Sequence, residues 1–314
     1  MSGSDSLVPN PRGSGVAFVT GAAGFLGGAV AAALVRAGWS VAGFDLTSGW
    51  SGGCAHWITG DVRQDALARA AREIGTPELV FHAAGGSSVG ASLADPEGDL
   101  ARTVGSVRET LAYLRAEAPG ARLIYPSSAA VYGAASAGPL VETSPLTPMS
   151  PYGQHKLQAE AEIAAAGVEA VILRFFSLYG PGLRKQLLWD LARRLASRPG
   201  RLELSGSGEE LRDFLYVDDA VRLVGLAADA PLAAGPLILN GGRGEAISVR
   251  RVAETLAAAL GSEANIGFSG DTRPGDPAAL VADISAARTA GFEPKIGFDN
   301  GVRRFARWFQ DLPA

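Results

Sequence analysis

Tyr152 and Lys156 stand four residues apart in Tyr-Gly-Gln-His-Lys. On a helix that spacing puts both side chains on one face, with Cβ atoms about 5–6 Å apart. An ammonium beside a phenol favours the phenolate, so the expectation is a lowered pKa for Tyr152. A tyrosine of that kind is a usable general acid and base near neutral pH. Ser128, in Pro126-Ser127-Ser128, can complete a hydrogen-bonding trio around a substrate hydroxyl. Far upstream, Gly21-Ala-Ala-Gly24-Phe-Leu-Gly27 spaces three glycines between an apolar run and an alanine-rich helical pattern. At such a turn one glycine allows the tight bend, one lets a ligand approach the backbone, and one lets the helix pack on the sheet. A pyrophosphate matches the free N–H groups of the helix that follows. Asp45 ends the next apolar run; a carboxylate there accepts from ribose hydroxyls and repels a 2′-phosphate, which favours NAD over NADP. Asp61 follows the third run and fits either an adenine contact or a turn cap.

These residues need elements to hold them, and the chain supplies an alternating pattern. Apolar runs at 16–20, 39–44, 56–59, 79–83, 122–125 and 170–175 read as strands. Helical patterns fall at 29–37, 64–72, 95–118 and 152–166. Ser150 can cap the last of these, and Pro151 suits its first turn. Apolar strands joined by helices predict an α/β fold with a doubly wound parallel sheet covered on both faces. A small-residue loop is expected over 84–90, and a Pro/Ser/Thr-rich loop over 138–151. From about Gly180 the rhythm changes. Helices are expected at 184–197, 218–228, 248–260 and 300–309, with short extended segments between. Leu237 to Asn240 reads as a strand returning to the main sheet. The expected division is a lead over 1–15, a Rossmann domain over 16–179 joined by 236–247, and a mainly substrate-binding, mixed α/β lobe over 180–314.

Composition narrows the function classes. The chain has 314 residues, 47% hydrophobic and 19% charged, enough for real cores. Net charge is −4 with no Lys/Arg block, which argues against nucleic acid or an anionic membrane as partner. No apolar run reaches the roughly 18 residues of a membrane span. Residues 1–15 are Ser/Gly/Pro-rich without an apolar core, unlike a signal peptide. The single cysteine, Cys54, excludes an intrachain disulfide and fits a reducing, cytoplasmic setting. Cys54 reads as a packed or surface thiol. No metal site is expected.

Taken together, GAAGFLG, Asp45, Gly60-Asp61-Val62, His82-Ala83-Ala84, SSAAVYG at 127–133 and Tyr152…Lys156 resemble the extended short-chain dehydrogenase/reductases. More narrowly, the chain resembles their NAD-dependent epimerase/dehydratase family, which acts on nucleotide sugars. LRFFSLYGP at 173–181 and GSGEELRDFLYVDD at 206–219 resemble that family's later motifs, as do Asn240-Gly-Gly and Arg273-Pro-Gly-Asp276. The resemblance implies a catalytic trio of Ser128, Tyr152 and Lys156, with Lys156 also holding the nicotinamide ribose. It implies NAD contacts from Gly21, Gly24, Phe25, Leu26, Gly27, Asp45, Asp61, Val62, Ala83 and Ala84. It implies substrate contacts from Ser87, Ser128, Ser177, Gln186, Arg212 and Arg273, the arginines near the nucleotide diphosphate, where a guanidinium fork suits phosphate. Pairing of those arginines with Asp213 and Asp276 is the structural alternative. A homodimer through the helices at 95–118 and 152–166 is the family expectation.

Departures bear on the reaction. The family's 4,6-dehydratases follow the catalytic hydroxyl with Asp-Glu, and its decarboxylases carry the Glu; here stand Ala129 and Ala130. Alanine can neither protonate a leaving hydroxyl nor abstract a proton. Hydride chemistry at one carbon remains. The expected function is an NAD-dependent nucleotide-sugar epimerase, acting at C4 through a transient 4-keto sugar. The alternatives are an NAD(P)H-dependent nucleotide-4-ketosugar reductase and a non-catalytic NAD-binding protein. Ser177 stands where the family usually has Asn, and so does Thr103. Arg184-Lys185-Gln186 with Trp189 can shape the substrate pocket; a basic pair at a helix start is unfavourable for the dipole and invites an anion.

Overall fold

Short runs that are apolar on both faces need a covering layer on each side. The computed structural model describes residues 15–48, 52–133, 138–197, 200–271 and 277–313, and it shows that three-layer arrangement. The first half alternates β1 (Val16–Thr20), α1 (Phe25–Arg36), β2 (Ser40–Asp45), β3 (His56–Thr59), α2 (Gln64–Ile74) and β4 (Leu79–His82). It continues through α3 (Val89–Ala94), α4 (Pro96–Leu100), α5 (Ser106–Glu117), β5 (Arg122–Ser128), α6 (Pro151–Ala165) and β6 (Ala170–Phe175). Then follow β7 (Ser177–Tyr179), α7 (Gln186–Ala196), β8 (Arg201–Leu204), β9 (Leu211–Arg212), β10 (Phe214–Tyr216), α8 (Val217–Asp229) and β11 (Leu237–Gly241). The last part holds β12 (Ile247–Ser248), α9 (Val249–Leu260), β13 (Asn265–Phe268), β14 (Ala279–Leu280), α10 (Ser285–Thr289) and α11 (Phe298–Gln310).

The main sheet has seven strands in the order β11-β6-β5-β4-β1-β2-β3, and every pairing is parallel. One apolar cluster packs α1 and α8 on one face, and a second packs α2, α5 and α6 on the other. The strand order reverses between β1 and β4, and a crevice opens there at the strands' C-terminal ends. β11 pairs with β6 as the far edge strand, as Leu237–Asn240 predicts. A third cluster joins α7, α9 and α11 with Tyr179, Phe214 and Tyr216, around three small sheets. No helix among the described residues is long and apolar enough to cross a membrane.

Several boundaries differ from the sequence expectation. The loop expected over 84–90 ends early, because Ser88 Oγ accepts from Ala91 N and starts α3. The single helix expected over 95–118 begins at Pro96, after the Asp95 cap, and is broken by a π-helical turn at Ala101–Gly105. Such a turn re-aims side chains on the next face. Here Thr103 Oγ1 meets the crevice loop and accepts from Gly86 N at 2.8 Å. The helix expected from 184 begins at Gln186. Residues 1–14 lie outside the described residues.

Candidate active site

The glycine turn is built as its spacing requires. Gly21 has φ +65°, and a Cβ on Gly27 would overlap the Gly21 carbonyl oxygen. Gly24 is the N-cap of α1 and offers no side-chain cap, and the first turn carries no acid. The free amides therefore face the crevice, together with the positive end of the helix. Asp45 sits at the adjacent strand end, where Oδ2 accepts from Ala23 N at 2.9 Å and Oδ1 from Thr47 N at 3.0 Å. Each oxygen keeps a lone pair for a ribose hydroxyl. Asp61 and Val62 lie across from it, beyond β3, with Asp61 exposed on the rim. Ala83 and Ala84 form the floor. Ala84 N donates to Thr20 Oγ1 at 3.0 Å, and that hydroxyl also meets His82 Nδ1 at 3.0 Å. Burial and the Lys156 charge push His82 down to about 3, so it is a neutral structural imidazole. The shape and donor set fit a dinucleotide with free ribose hydroxyls.

Ser128 ends β5, and its Oγ accepts from Ala130 N at 3.2 Å. Its hydroxyl stands beside the Tyr152 phenol and favours the ionised form. Tyr152 and Lys156 share a face of α6, with Lys156 Nζ 5.9 Å from the Tyr152 ring centre. The expected trio is thus assembled. The expected lowering of the Tyr152 pKa is not found. Burial raises it, Ser128 pulls it back, and the Asp99 carboxylate raises it further. The reason is that Lys156 is itself buried, and burial brings it down to about 8. Its ammonium donates to Pro126 O at 3.0 Å and lies 4.8 Å from the Tyr125 ring centre. Desolvation outweighs the neighbouring charge for both groups.

The catalytic face of α6 is held from both ends. Ser150 Oγ accepts from Gly153 N, and Ser92 Oγ of α3 accepts from Tyr152 N at 3.0 Å. One turn past Lys156, Glu160 takes Arg174 of β6 in a buried pair, with Nη2 to Oε2 at 2.7 Å. Ser127 Oγ donates to the same carboxylate at 2.5 Å. Arg174 continues to the Tyr132 hydroxyl at 3.2 Å, which donates to Asn240 Oδ1 at 2.6 Å. These contacts join β5, α6, β6 and β11 into one frame.

One cavity of about 1410 Å³ contains Gly21, Gly24, Asp45, Asp61, Ser128, Tyr152 and Lys156 on its wall. Phe25, Leu26, Gly27, Val62, Ala83, Ala84, Ser87, Ser177, Gln186 and Arg212 line it as well. Of the residues singled out by sequence, Arg273 lies outside the described residues. Asp213 is engaged by backbone amides. It is fully buried and accepts from the amides of Arg243, Gly244 and Ala282, at 2.6, 2.8 and 3.2 Å. Burial pushes its carboxyl up to about 6. Gln186 has φ +67°, alone among the described non-glycine residues, and marks strain at the cavity wall. Cys54 is half-buried away from the cavity, with its thiol pushed up to about 11, and fits the inert role.

Lys185, read from the sequence with Arg184 and Gln186 as able to shape the substrate pocket, donates from Nζ to Ser87 O at 3.2 Å and lowers the proton affinity of Lys156. One feature was missed by sequence reasoning. Asp99 and His155 form a 2.6 Å contact beneath the cavity loop, and nothing in their spacing pairs them.

Residues 17–241 match the model of the NAD dependent epimerase/dehydratase family. A UDP-glucose 4-epimerase of Streptomyces lividans is 33% identical over 297 residues, 88% of this chain and 90% of that one. The structure of a UDP-glucose 4-epimerase of Thermus thermophilus with NAD superposes with a TM-score of 0.81 at 28% identity, over 94% of this chain and 99% of that one. The structure of TunA, described as an NAD-dependent NDP-hexosamine 5,6-dehydratase of tunicamycin biosynthesis, superposes at 0.83 with 30% identity, over 95% and 98%. The likeness therefore runs the length of the fold, the glycine turn and the tyrosine–lysine helix included. The chain belongs to the NAD-dependent epimerase/dehydratase family.

Proposed function

We propose that the protein is an NAD-dependent nucleotide-sugar 4-epimerase. Relatives of similar identity include both epimerases and a dehydratase, so the site must choose. The observation that carries the choice is the sequence of side chains at the mouth of β5. Ser128 and Tyr152 share one cavity wall, and the two residues that follow Ser128, Ala129 and Ala130, present only methyl groups there. A site that moves a hydroxyl proton is complete; the acid that an elimination needs is absent from those positions.

NAD, when bound, supplies a hydride acceptor that can return the hydride. The chain's residues do the rest. The amides at the start of α1 hold the pyrophosphate, and Asp45 takes the ribose hydroxyls. Lys156 binds the second ribose and places positive charge beneath the phenol. Ser128 orients the sugar's C4 hydroxyl toward Tyr152. Tyr152 in its phenolate form would accept that proton as C4 gives up a hydride and becomes a ketone, and the phenol so formed would give the proton back once the other face of the 4-keto sugar is presented and the hydride returns. The segment from 180 onward supplies the substrate lobe, whose Gln186 and Arg212 share the cavity wall with Ser87 and Ser177, around the place of the nucleotide diphosphate and sugar. The breadth of the cavity supports room for the sugar to turn.

Purified protein carrying NAD should interconvert a UDP-hexose C4 pair without added cofactor. Stoichiometric consumption of NADH on a 4-keto sugar, with no interconversion, would instead identify a reductase. The setting is cytoplasmic, supported by the lone cysteine. The state in solution is a homodimer through the helical stretches at 95–118 and 152–166, supported by the exposed apolar side chain of Leu100 on α4. Light scattering at twice the chain mass is the expected result, and a monomer mass contradicts it.

A further inference from the structure

A helix leaves its first amides without acceptors of its own. In α6, which carries Tyr152 on its first turn, each such amide has a distinct fate. Ser150 is the N-cap, and Pro151 has no N–H. Ser150 Oγ accepts from Gly153 N at 3.2 Å, and Ser150 O accepts from Gln154 N at 3.0 Å. The Tyr152 amide falls between these and is not served by the cap. It donates instead to Ser92 Oγ of α3 at 3.0 Å, across 60 positions of sequence. Ser92 is fully buried. Its own hydroxyl proton goes to Val89 O at 2.8 Å, which leaves the oxygen as a fixed acceptor for Tyr152. The next residue is confined too. A Cβ on Gly153 would lie 2.6 Å from Ala130 O, in the turn that follows Ser128. The start of α3 belongs to the cavity wall, through Ser88 and Val89. Ser88 Oγ accepts from Ala91 N at 3.2 Å, and Lys185, before α7, donates to Ser87 O at 3.2 Å. One hydroxyl therefore ties the Tyr152 backbone to the wall that meets the substrate lobe.

We propose that Ser92 is a positioning residue, which sets the place of the Tyr152 phenol in the cavity by accepting from the Tyr152 amide. The proposal rests on Tyr152 being the group that moves the proton. Proton transfer needs its partners within hydrogen-bond reach, so a small displacement of the phenol is felt in the chemical step. The later turns of α6 have their own anchors. Lys156 donates to Pro126 O at 3.0 Å, and Glu160 takes Arg174 at 2.7 Å. Helix ends fray, and the first turn lies beyond those anchors. Ser150 shapes that turn from within, whereas Ser92 fixes it to a second element. Ser92 does not line the cavity, so it acts through the Tyr152 backbone and not on a ligand. Its effect belongs to the chemical step, and binding of sugar and nucleotide is left to the cavity wall.

Ser92→Ala removes the acceptor and keeps the packing. Ser150→Ala removes the cap of the same turn and is the comparison for a purely structural loss. The chain has six tyrosines. Protein with its copurified nucleotide, labelled with carbon-13 at tyrosine Cζ, therefore gives six resonances, and Tyr152→Phe identifies the one that matters. In Ser92→Ala the Tyr152 resonance should move or broaden, while those of Tyr113, Tyr179 and Tyr216 stay. In Ser150→Ala its change should be smaller. With a sugar that the wild type turns over, Ser92→Ala should lower kcat per bound nucleotide about 10–10²-fold and leave KM within about twofold. An unchanged Tyr152 resonance in folded Ser92→Ala overturns the proposal. So does a loss that falls on KM with kcat kept. Equal changes in Ser150→Ala would trace the effect to helix capping and overturn it as well. If Ser92→Ala does not fold, Ser92→Cys, whose sulfur is a weak acceptor, carries the same expectations and the same overturning results. The resonance needs no sugar. A wild-type chain that interconverts nothing would therefore remove the epimerase assignment and leave the hold of Ser92 on Tyr152 still measurable.

Discussion

Lys156 is the residue where stability and function oppose each other. Its proton affinity in the fold, about 8, is below the ordinary 10.5. Between those values the unfolded chain holds more protons, so stability rises with pH across that window. Below it the full cost of a buried ammonium is present, about 3 kcal/mol by the size of the shift. Lys156→Met removes that cost but leaves Pro126 O without its donor, which returns about 1–2 kcal/mol. Cofactor-free Lys156→Met should be inactive yet more stable than wild type by about 1–2 kcal/mol at pH 7 in urea titrations. The gap should close toward pH 10. A variant that is less stable at pH 7 would show that the ammonium is a net structural asset. Tyr152 behaves differently, because in the cofactor-free fold burial keeps its phenol neutral. Tyr152→Phe should keep the fold and the nucleotide while lowering kcat about 10²–10⁴-fold, read with a saturating sugar substrate.

At the scale of elements, α6 is the part that must not shift. Its catalytic face is referenced to the sheet through Glu160 and Arg174, both nearly fully buried. Removing one partner strands the other charge. Glu160→Ala should cost about 3–5 kcal/mol by denaturant unfolding, and Glu160→Gln less, since the amide still accepts from Ser127 and Arg174. Equal losses would mean that the side chain's volume, not its charge, anchors the helix. How far such elements show in the sequence follows from how local their causes are. The glycine turn, Asp45 at a strand end and the Tyr152–Lys156 spacing are set within a few residues, and the structure places them as read. The π turn and α3 were not visible, because small residues at 84–90 permit several backbone paths and nothing in Ala-Arg-Thr-Val-Gly at 101–105 marks a wider helical turn. Asp99 and His155 are 56 positions apart, and only the packed fold brings them together. The Tyr152 proton affinity was misjudged for a related reason: spacing shows which charges are neighbours, whereas burial decides their weight.

For the whole molecule, the order of strands sets where chemistry can occur. The reversal between β1 and β4 opens a crevice, the glycine turn and Asp45 furnish one end, and α6 brings its pair to the other. The region after β6 completes the far wall through Ser177, Gln186 and Arg212. Family membership was legible from motifs spread along the chain, because each marks a backbone constraint or a charge that the fold needs. The choice of reaction rests on fewer residues, chiefly the methyl side chains that follow Ser128. It is also where relatives of similar identity diverge, an epimerase in one case and a dehydratase in another. The direct measurement is turnover of UDP-hexoses by purified protein with no cofactor added, followed by separation of the C4 epimers. Interconversion in both directions to a common equilibrium ratio, lost in Tyr152→Phe, is the predicted result. Loss of water from the sugar, or no interconversion across UDP-, dTDP-, CDP- and GDP-sugars by nucleotide-loaded protein, would contradict it.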